Sequence, residues 1–255
     1  MKNSTVNVKE VSTPGLGNSR RNFLKISGLT LAGTGLLLAG CSSDDDSNGS
    51  NPDSNQLPGV RNGVFDLGGG DAGILTYAYA LEQLEADFYT KVVNGNTFGS
   101  IFSSAEREIL VDLYNHEVIH REFFKAALTG ALGAEASTRL LPSLSFKYDS
   151  VSFGNRNQVL ATAQALEDTG VSAYNGAGRF LQNPDYLLLA GKIVSVEARH
   201  AAAIRDLINP KSASFAGDDA VDGNGLDKAE KPSVIVPKVA SLKFIQTPFT
   251  FQYLP

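Results

Sequence analysis

The sequence predicts an all-α fold, an antiparallel four-helix bundle with one long crossover connection and an irregular C-terminal tail. Four segments of about 22 to 27 residues repeat apolar residues with the 3.6-residue period of a helix. Short connections join the first segment to the second and the third to the fourth, which favours antiparallel neighbours. A long connection joins the two pairs and can cross the length of the bundle.

The first 40 residues carry the features of a signal peptide. Residues 19–25, SRRNFLK, form a basic region with an Arg-Arg pair, and an apolar stretch follows over residues 26–39. This stretch is shorter than the roughly 20 residues that a membrane-spanning helix needs. An uncleaved anchor helix is the alternative. The pattern resembles a twin-arginine signal that ends in a lipoprotein motif, LAGC, and it predicts export and a mature chain that begins at Cys41.

Cys41 is the only cysteine of the chain, which excludes an intramolecular disulfide, a thiolate zinc site and an iron–sulfur cluster. Its predicted role is lipid attachment at the cell envelope, on the periplasmic face or the cell surface. Loss of residues 1–40 changes the formal net charge from −5 to −9, which disfavours nucleic acid as a partner. Residues 41–70 are predicted to be a flexible linker because they begin with a run of Ser, Asp, Asn and Gly.

The bundle is predicted to span residues 71–207. Its helices are expected at residues 72–94, 103–129, 157–181 and 184–207. Their boundaries carry ordinary signals, namely Asp71 before the first, a capping box of Ser103 or Ser104 with Glu106, Gly130 after the second, and Asn183-Pro184 before the fourth. Residues 208–255 turn first polar and then apolar with prolines, which predicts an extended tail packed on the bundle.

The two helix pairs repeat one pattern of metal-binding side chains. The first and third helices each carry Leu-Glu with a Tyr seven residues after the Glu, and the second and fourth each carry Glu-x-x-His. The residues are Glu82 with Tyr89, Glu167 with Tyr174, Glu117 with His120, and Glu197 with His200. Positions i and i+3 share a helix face, so each Glu-x-x-His presents a carboxylate and an imidazole to the same side.

These side chains are predicted to face the core. Leu110, Leu113 and Phe124 lie seven residues before, four before and seven after Glu117, which marks that face as apolar. Burying a carboxylate without positive charge costs several kcal/mol, so four converging carboxylates require cations between them. Two divalent ions would neutralise them, and oxygen and imidazole ligands suit iron or manganese. The sequence therefore predicts two Fe or Mn ions bound by four Glu and two His.

Four segments, LEQLEADFY, HEVIHREFFKAAL, ALEDTGVSAYNGA and VEARHAAAI, together resemble the ferritin-like domain family that is related to plant desiccation-related proteins. The resemblance covers residues 71–207. It implies a ferritin-like fold in which the six Glu and His residues bind metal and Tyr89 and Tyr174 lie near the site as candidate catalytic residues. The function of the family is poorly defined, so the resemblance carries over fold and ligands better than a reaction.

The segment HEVIH also matches a zinc-hydrolase pattern, in which His116 and His120 bind zinc and Glu117 acts as the base. The repeat disfavours this interpretation because Val196 stands at the position that matches His116. We therefore expect His116 to be a hydrogen-bonded neighbour of the site.

Two further alternatives concern the first helix and the tyrosines. Glu85 lies one turn from Glu82 and is the competing ligand, but only Glu82 keeps the seven-residue spacing to Tyr. For Tyr89 and Tyr174 the alternative to a redox or proton-transfer role is core packing with one satisfied hydroxyl.

The leading functional hypothesis is redox chemistry on peroxide, dioxygen or Fe²⁺, similar to that of a catalase or a ferroxidase. The competing hypothesis is a non-catalytic envelope protein for stress or desiccation protection, with a structural or vestigial metal site. Expected partners are the membrane through the lipid at Cys41, a small-molecule substrate and further copies of the chain in a homo-oligomer.

Overall fold

The computed structural model describes residues 56–255. The predicted signal peptide, the lipidation site Cys41 and the first half of the predicted linker lie outside the described residues. Four long helices form the bundle: α1 (Gly70–Val93), α3 (Ser104–Leu132), α5 (Arg156–Gly178) and α6 (Pro184–Ile208). Three shorter helices are α2 (Phe98–Ile101), α4 (Ala136–Arg139) and α7 (Pro232–Ser241), and short 3₁₀ turns cover Gly133–Glu135 and Ala213–Ala216. The predicted all-α bundle is confirmed.

Side-chain caps fix where three of the long helices begin. Ser103 and Glu106 form a capping box at α3, and the Asn155 side chain accepts hydrogen bonds from two backbone N–H groups of α5. Asn183 caps α6, where Pro184 occupies the first turn. Gly130, predicted to end the second helix, lies inside α3, which ends at Gly133 with φ 54°.

The long helices pack as two pairs, α1 against α3 and α5 against α6. Residues 133–155 cross between the pairs, as predicted. Gln83 of α1 holds this crossover, since its Oε1 accepts from Leu144 N at 2.8 Å and its Nε2 donates to Pro142 O at 3.3 Å. The shared core includes Phe88, Phe124 and many aliphatic side chains of all four helices.

The N-terminal end of the described chain is folded and not a flexible linker. Strands β1 (Gly59–Arg61) and β2 (Val64–Asp66) form an antiparallel hairpin, and β3 (Phe249–Thr250) pairs parallel with β2. Asn62 and Gly63 make the two-residue turn with φ values of 51° and 80°. Asn-Gly is the sequence that favours such a turn, so the linker prediction is wrong for residues 59–66.

The C-terminal tail is partly helical where an extended chain was expected. Helix α7 starts with Pro232 in its first turn, where a missing N–H costs nothing, and it buries Ile235, Val236 and Val239. Before α7, the chain lies directly on α5, where Glu230 N donates to Ser172 O at 3.0 Å. None of the helices between residues 56 and 255 combines the length and the apolar character that a membrane crossing requires.

Candidate metal centre

The structure brings the six predicted ligands together at the middle of the bundle. Glu82 comes from α1, Glu167 from α5, and the two Glu-x-x-His pairs come from α3 and α6. All four carboxylates are fully buried, and both imidazoles are buried. The apolar stripe that the sequence predicts on these helices is therefore the face that packs inward.

The ligand atoms form two overlapping groups. One contains Glu82, Glu117, His120 and Glu197, and the other contains Glu117, Glu167, Glu197 and His200. Within each group one atom from every residue lies within 4.8 Å of the others. Glu117 and Glu197 belong to both groups, so the two Glu-x-x-His carboxylates lie between a Glu82–His120 side and a Glu167–His200 side.

The two imidazoles approach the shared carboxylates in the same way. His120 Nδ1 lies 2.8 Å from Glu197 Oε1, and His200 Nδ1 lies 2.7 Å from Glu117 Oε1, so each ring faces the carboxylate of the other helix pair. Within residues 56–255, both Nδ1 atoms and the oxygens of Glu117 and Glu197 make no hydrogen bond of acceptable geometry. These atoms converge on points between the side chains, which is the arrangement of ligands around a cation.

Each tyrosine donates a hydrogen bond across the bundle to the glutamate of the other repeat. Tyr89 OH donates to Glu167 Oε1 at 2.6 Å, and Tyr174 OH donates to Glu82 Oε1. These bonds occupy one oxygen of each glutamate, while the Oε2 atoms of Glu82 and Glu167 are buried and have no hydrogen-bond partner in the part of the chain that the structure describes. Burial and the nearby carboxylates raise the pKa of both tyrosines, so both hydroxyls keep their protons at neutral pH.

His116 lies beside the cluster and belongs to neither ligand group. Its Nδ1 is 2.9 Å from His200 Nε2, and the two rings stack with their centroids 5.2 Å apart. Burial and the neighbouring His200 lower the pKa of His116. The geometry therefore matches the expected hydrogen-bonded neighbour and gives no support to a zinc site made from His116 and His120.

Glu85, which the sequence offered only as an alternative ligand to Glu82, is a further buried carboxyl group. It belongs to neither ligand group, its Oε2 has no partner among the described residues, and burial raises its pKa well above the ordinary value. Its Oε1 would lie 3.0 Å from a Cβ at Gly170, the residue that occupies the matching position in the other repeat. A comparison of the two repeats could have found this pair, because Glu82 and Glu85 align with Glu167 and Gly170.

The electrostatics of the cluster favour bound protons or bound cations. Burial raises the pKa of Glu82 well above the ordinary value and that of Glu167 to about 8. Burial alone would also raise the pKa of Glu117, but His120 and His200 lower it. Burial acts to lower the pKa of both histidines, yet the surrounding carboxylates raise it strongly. Since a metal ion can replace these protons, the donors fit divalent cations.

A four-helix bundle with one long crossover and inward-facing Glu and Glu-x-x-His side chains is the architecture of the ferritin-like proteins, and the two groups of buried side chains could hold a metal ion. The profile of the ferritin-like domain matches residues 70–210. The chain belongs to the ferritin-like domain family. The comparison with curated proteins gives no match.

Proposed function

We propose that the bundle binds two redox-active metal ions, iron or manganese, and uses them on peroxide, dioxygen or Fe²⁺. The observation that carries this proposal is the pair of overlapping ligand groups that share Glu117 and Glu197. Glu117 and Glu197 would help to hold both ions. Each ion would also have one glutamate and one imidazole of its own.

The donor set supports iron or manganese over softer metals. All six side chains offer carboxylate oxygen or imidazole nitrogen, and the only cysteine of the chain is Cys41. Four carboxylates balance the charge of two divalent ions, which removes the cost of burying them. When bound, such ions supply a reversible change of oxidation state.

The protein residues hold and enclose this centre. Glu82 and His120 would hold one ion, and Glu167 and His200 would hold the other. The hydrogen bonds of Tyr89 and Tyr174 fix the rotation of the two unshared carboxylates. His116 fixes the ring of His200. Full burial of the carboxylates keeps bulk water away from the ions and strengthens their electrostatic interactions.

Metal analysis of the purified mature protein tests the proposal first. We expect close to two iron or manganese ions per chain. The variant Glu82→Gln should lose metal, and Glu85→Gln, which changes an equally buried carboxyl outside both ligand groups, should keep it. Purified protein that contains one zinc per chain, or no metal at all, would contradict the proposal.

Turnover separates an enzyme from a structural site. The metal-loaded protein is mixed with hydrogen peroxide, or with Fe²⁺ and dioxygen, and oxygen release and Fe²⁺ oxidation are followed. Turnover that is lost in Glu82→Gln supports the redox function. Full metal loading without turnover favours a non-catalytic envelope protein whose metal stabilises the fold.

The N-terminal pattern supports a location at the cell envelope. We propose export by the twin-arginine route, with the protein already folded around its metal, and anchoring by a lipid on Cys41. In the native host, Cys41→Ala should release the protein from the membrane fraction, and replacing both Arg20 and Arg21 by Lys should retain it in the cytoplasm. Membrane association that persists in Cys41→Ala would contradict lipid anchoring.

A further inference from the structure

An apolar cavity lies beside the carboxylate cluster, next to Tyr174. Helices α1, α3, α5 and α6 form its walls, which include Ala78, Phe124 and Ala177, and only apolar atoms face it. The space open to the centre of a water-sized molecule is about 20 Å³. A cavity needs an occupied volume of only about 10–15 Å³ to hold one water, so this much room for the centre of a molecule alone is enough for one small molecule.

The side chain of Tyr174 connects the cavity to the carboxylate cluster. The Tyr174 ring lines the cavity, and its hydroxyl donates to Glu82 Oε1, a member of the first ligand group. Tyr174 is 7% exposed, whereas Tyr89, its counterpart in the repeat, is 0% exposed and packs edge-on against Phe88 with ring centroids 5.3 Å apart. Tyr174 therefore adjoins an apolar cavity on the Glu82 side, whereas Tyr89 on the Glu167 side is enclosed by packing.

The apolar walls of the cavity favour an apolar molecule over a polar or charged one. A buried water requires two to four polar partners, and these walls offer none, so water gains nothing there. Fe²⁺ and hydrogen peroxide would both lose hydration in such a space. Dioxygen has no hydration of this kind to lose, and apolar cavities of proteins bind small apolar gases.

We propose that this cavity admits and holds dioxygen for the metal centre on the Tyr174 side. The proposal rests on the proposed function and narrows its substrate to a small apolar oxidant. In the reaction followed below, dioxygen takes one electron from each of two Fe²⁺ ions and two protons from solvent, and it leaves as hydrogen peroxide. Tyr174 is a positioning residue between the cavity and Glu82.

The repeat supplies a matched pair of variants. Ala78 precedes Glu82 by four residues and lines the cavity, and Ala163 precedes Glu167 by four residues on the side where Tyr89 is enclosed. Ala78→Val and Ala177→Val fill the cavity from two helices. Ala163→Val adds the same volume on the other side of the cluster, and thermal unfolding of all three shows whether they fold.

The experiment compares iron content, xenon binding by ¹²⁹Xe NMR, and the rate at which bound Fe²⁺ is oxidised by dioxygen or by hydrogen peroxide. We expect xenon to bind the wild-type chain and Ala163→Val but neither cavity variant. Oxidation by dioxygen should slow at least about tenfold in the cavity variants, while oxidation by peroxide stays within about twofold. If one of the two cavity variants fails to fold, xenon binding and the oxidation rates of the other variant still test the proposal.

Three results overturn the proposal. They are a wild-type chain that does not bind xenon, dioxygen rates that do not change when the cavity is filled, and equal losses with dioxygen and peroxide. A chain that binds no iron overturns the proposed function as well. Iron content therefore distinguishes failure of the access route from failure of the metal centre.

Discussion

At the scale of single residues, the two histidines of the cluster differ in what touches their outer nitrogen. His200 Nε2 lies 2.9 Å from His116 Nδ1, whereas the residue that matches His116 in the other repeat is Val196, which offers no polar atom to His120. A partner on the outer nitrogen fixes the tautomer and orientation of a metal-binding imidazole. The two groups of candidate ligands are therefore unequal although their residue types are the same.

We predict that His116→Ala weakens metal binding about 10–100-fold at the site that contains His200, without abolishing it. Competition with a fluorescent chelator measures this affinity. Val196→Ala is the matched control and should leave the affinity unchanged. Loss as complete as that of Glu197→Ala would contradict this role and would make His116 a metal ligand.

The buried carboxyl groups also predict how the metal-free protein responds to pH. The pKa of Glu167 is raised to about 8, and that of Glu82 is raised too, so the folded chain keeps protons that the unfolded chain releases near pH 4.5. The raised pKa values of both histidines act in the same direction from about pH 6.5 upwards. Within the cluster, Glu117 has a lowered pKa and contributes stability that is lost at acid pH.

The free energy of unfolding of the metal-free protein should therefore fall as pH rises from 5 to 8, by about 1.4 kcal/mol per pH unit for each retained proton. Urea unfolding in the presence of a chelator at several pH values measures it. Glu167→Gln should show a smaller slope because it cannot release that proton. Stability that rises over this range would contradict the prediction, and bound metal should remove the fall.

At the scale of helices and strands, the sequence predicts what periodicity and side-chain caps determine. The four long helices are confirmed, and the capping box at Ser103 and the cap at Asn183 form as expected. The prediction that the second helix ends at Gly130 was wrong because an exposed glycine is tolerated inside a long helix. The helix ends before Gly133, which has φ 54°. The short sheet was missed although Asn62-Gly63 carried the hairpin signal, because its strands have only two or three residues.

The contact between α5 and the chain before α7 depends on a glycine. A Cβ at Gly176 would lie 1.8 Å from Glu230 O, so no other residue fits without moving the backbone of the tail. We predict that Gly176→Ala lowers the free energy of unfolding by about 1–3 kcal/mol, despite the higher helix propensity of Ala, because the site is overpacked. Limited proteolysis should cut the tail faster, and urea unfolding measures the stability.

Gly130→Ala provides the control for this prediction. It changes a glycine inside α3 with no atom within 4 Å of the added Cβ. It should raise stability by up to about 1 kcal/mol through helix propensity alone. Equal effects of the two substitutions would mean that the close approach of Glu230 does not matter.

At the scale of the whole molecule, a buried carboxylate ties the two ends of the described chain together. Asp66 accepts from Gly68 N at 2.8 Å, from Thr250 Oγ1 at 2.6 Å and from Gln252 N at 3.1 Å, and it pairs with Arg61 at 3.2 Å. It is fully buried. This side chain thus reinforces the backbone pairing of β2 with the C-terminal strand β3.

We predict that Asp66→Ala lowers the free energy of unfolding by about 3–5 kcal/mol, because it leaves buried donors and a cation without their partner. Asp149→Ala is the control, since Asp149 pairs with Lys147 at the surface and should contribute no more than about 1 kcal/mol. Thermal unfolding of both variants measures the two losses of stability. An effect of Asp66→Ala as small as that of the control would show that the two ends are held by other contacts.

The sequence predicts the centre of the molecule better than its ends. The ligand positions follow from i,i+3 spacing and from the repeat, which are local rules, and the structure places all six side chains together. The crossed Tyr–Glu bonds, the contact of His116 with His200 and the Asp66 tie join residues 78, 84, 92 and 184 or more positions apart. No local pattern specifies such pairs, so only the folded chain reveals them.

The packing of Glu85 against Gly170 bears on how the two repeats came to share one polypeptide. Two copies of the first repeat, joined as a homodimer, would supply the same six metal ligands but would also bring two Glu85 side chains into the space that one glycine leaves. Two copies of the second repeat would place two glycines there and leave a gap. The unlike pair fits this space, so the two halves of the bundle are not equivalent at this position although their metal-binding residue types are the same.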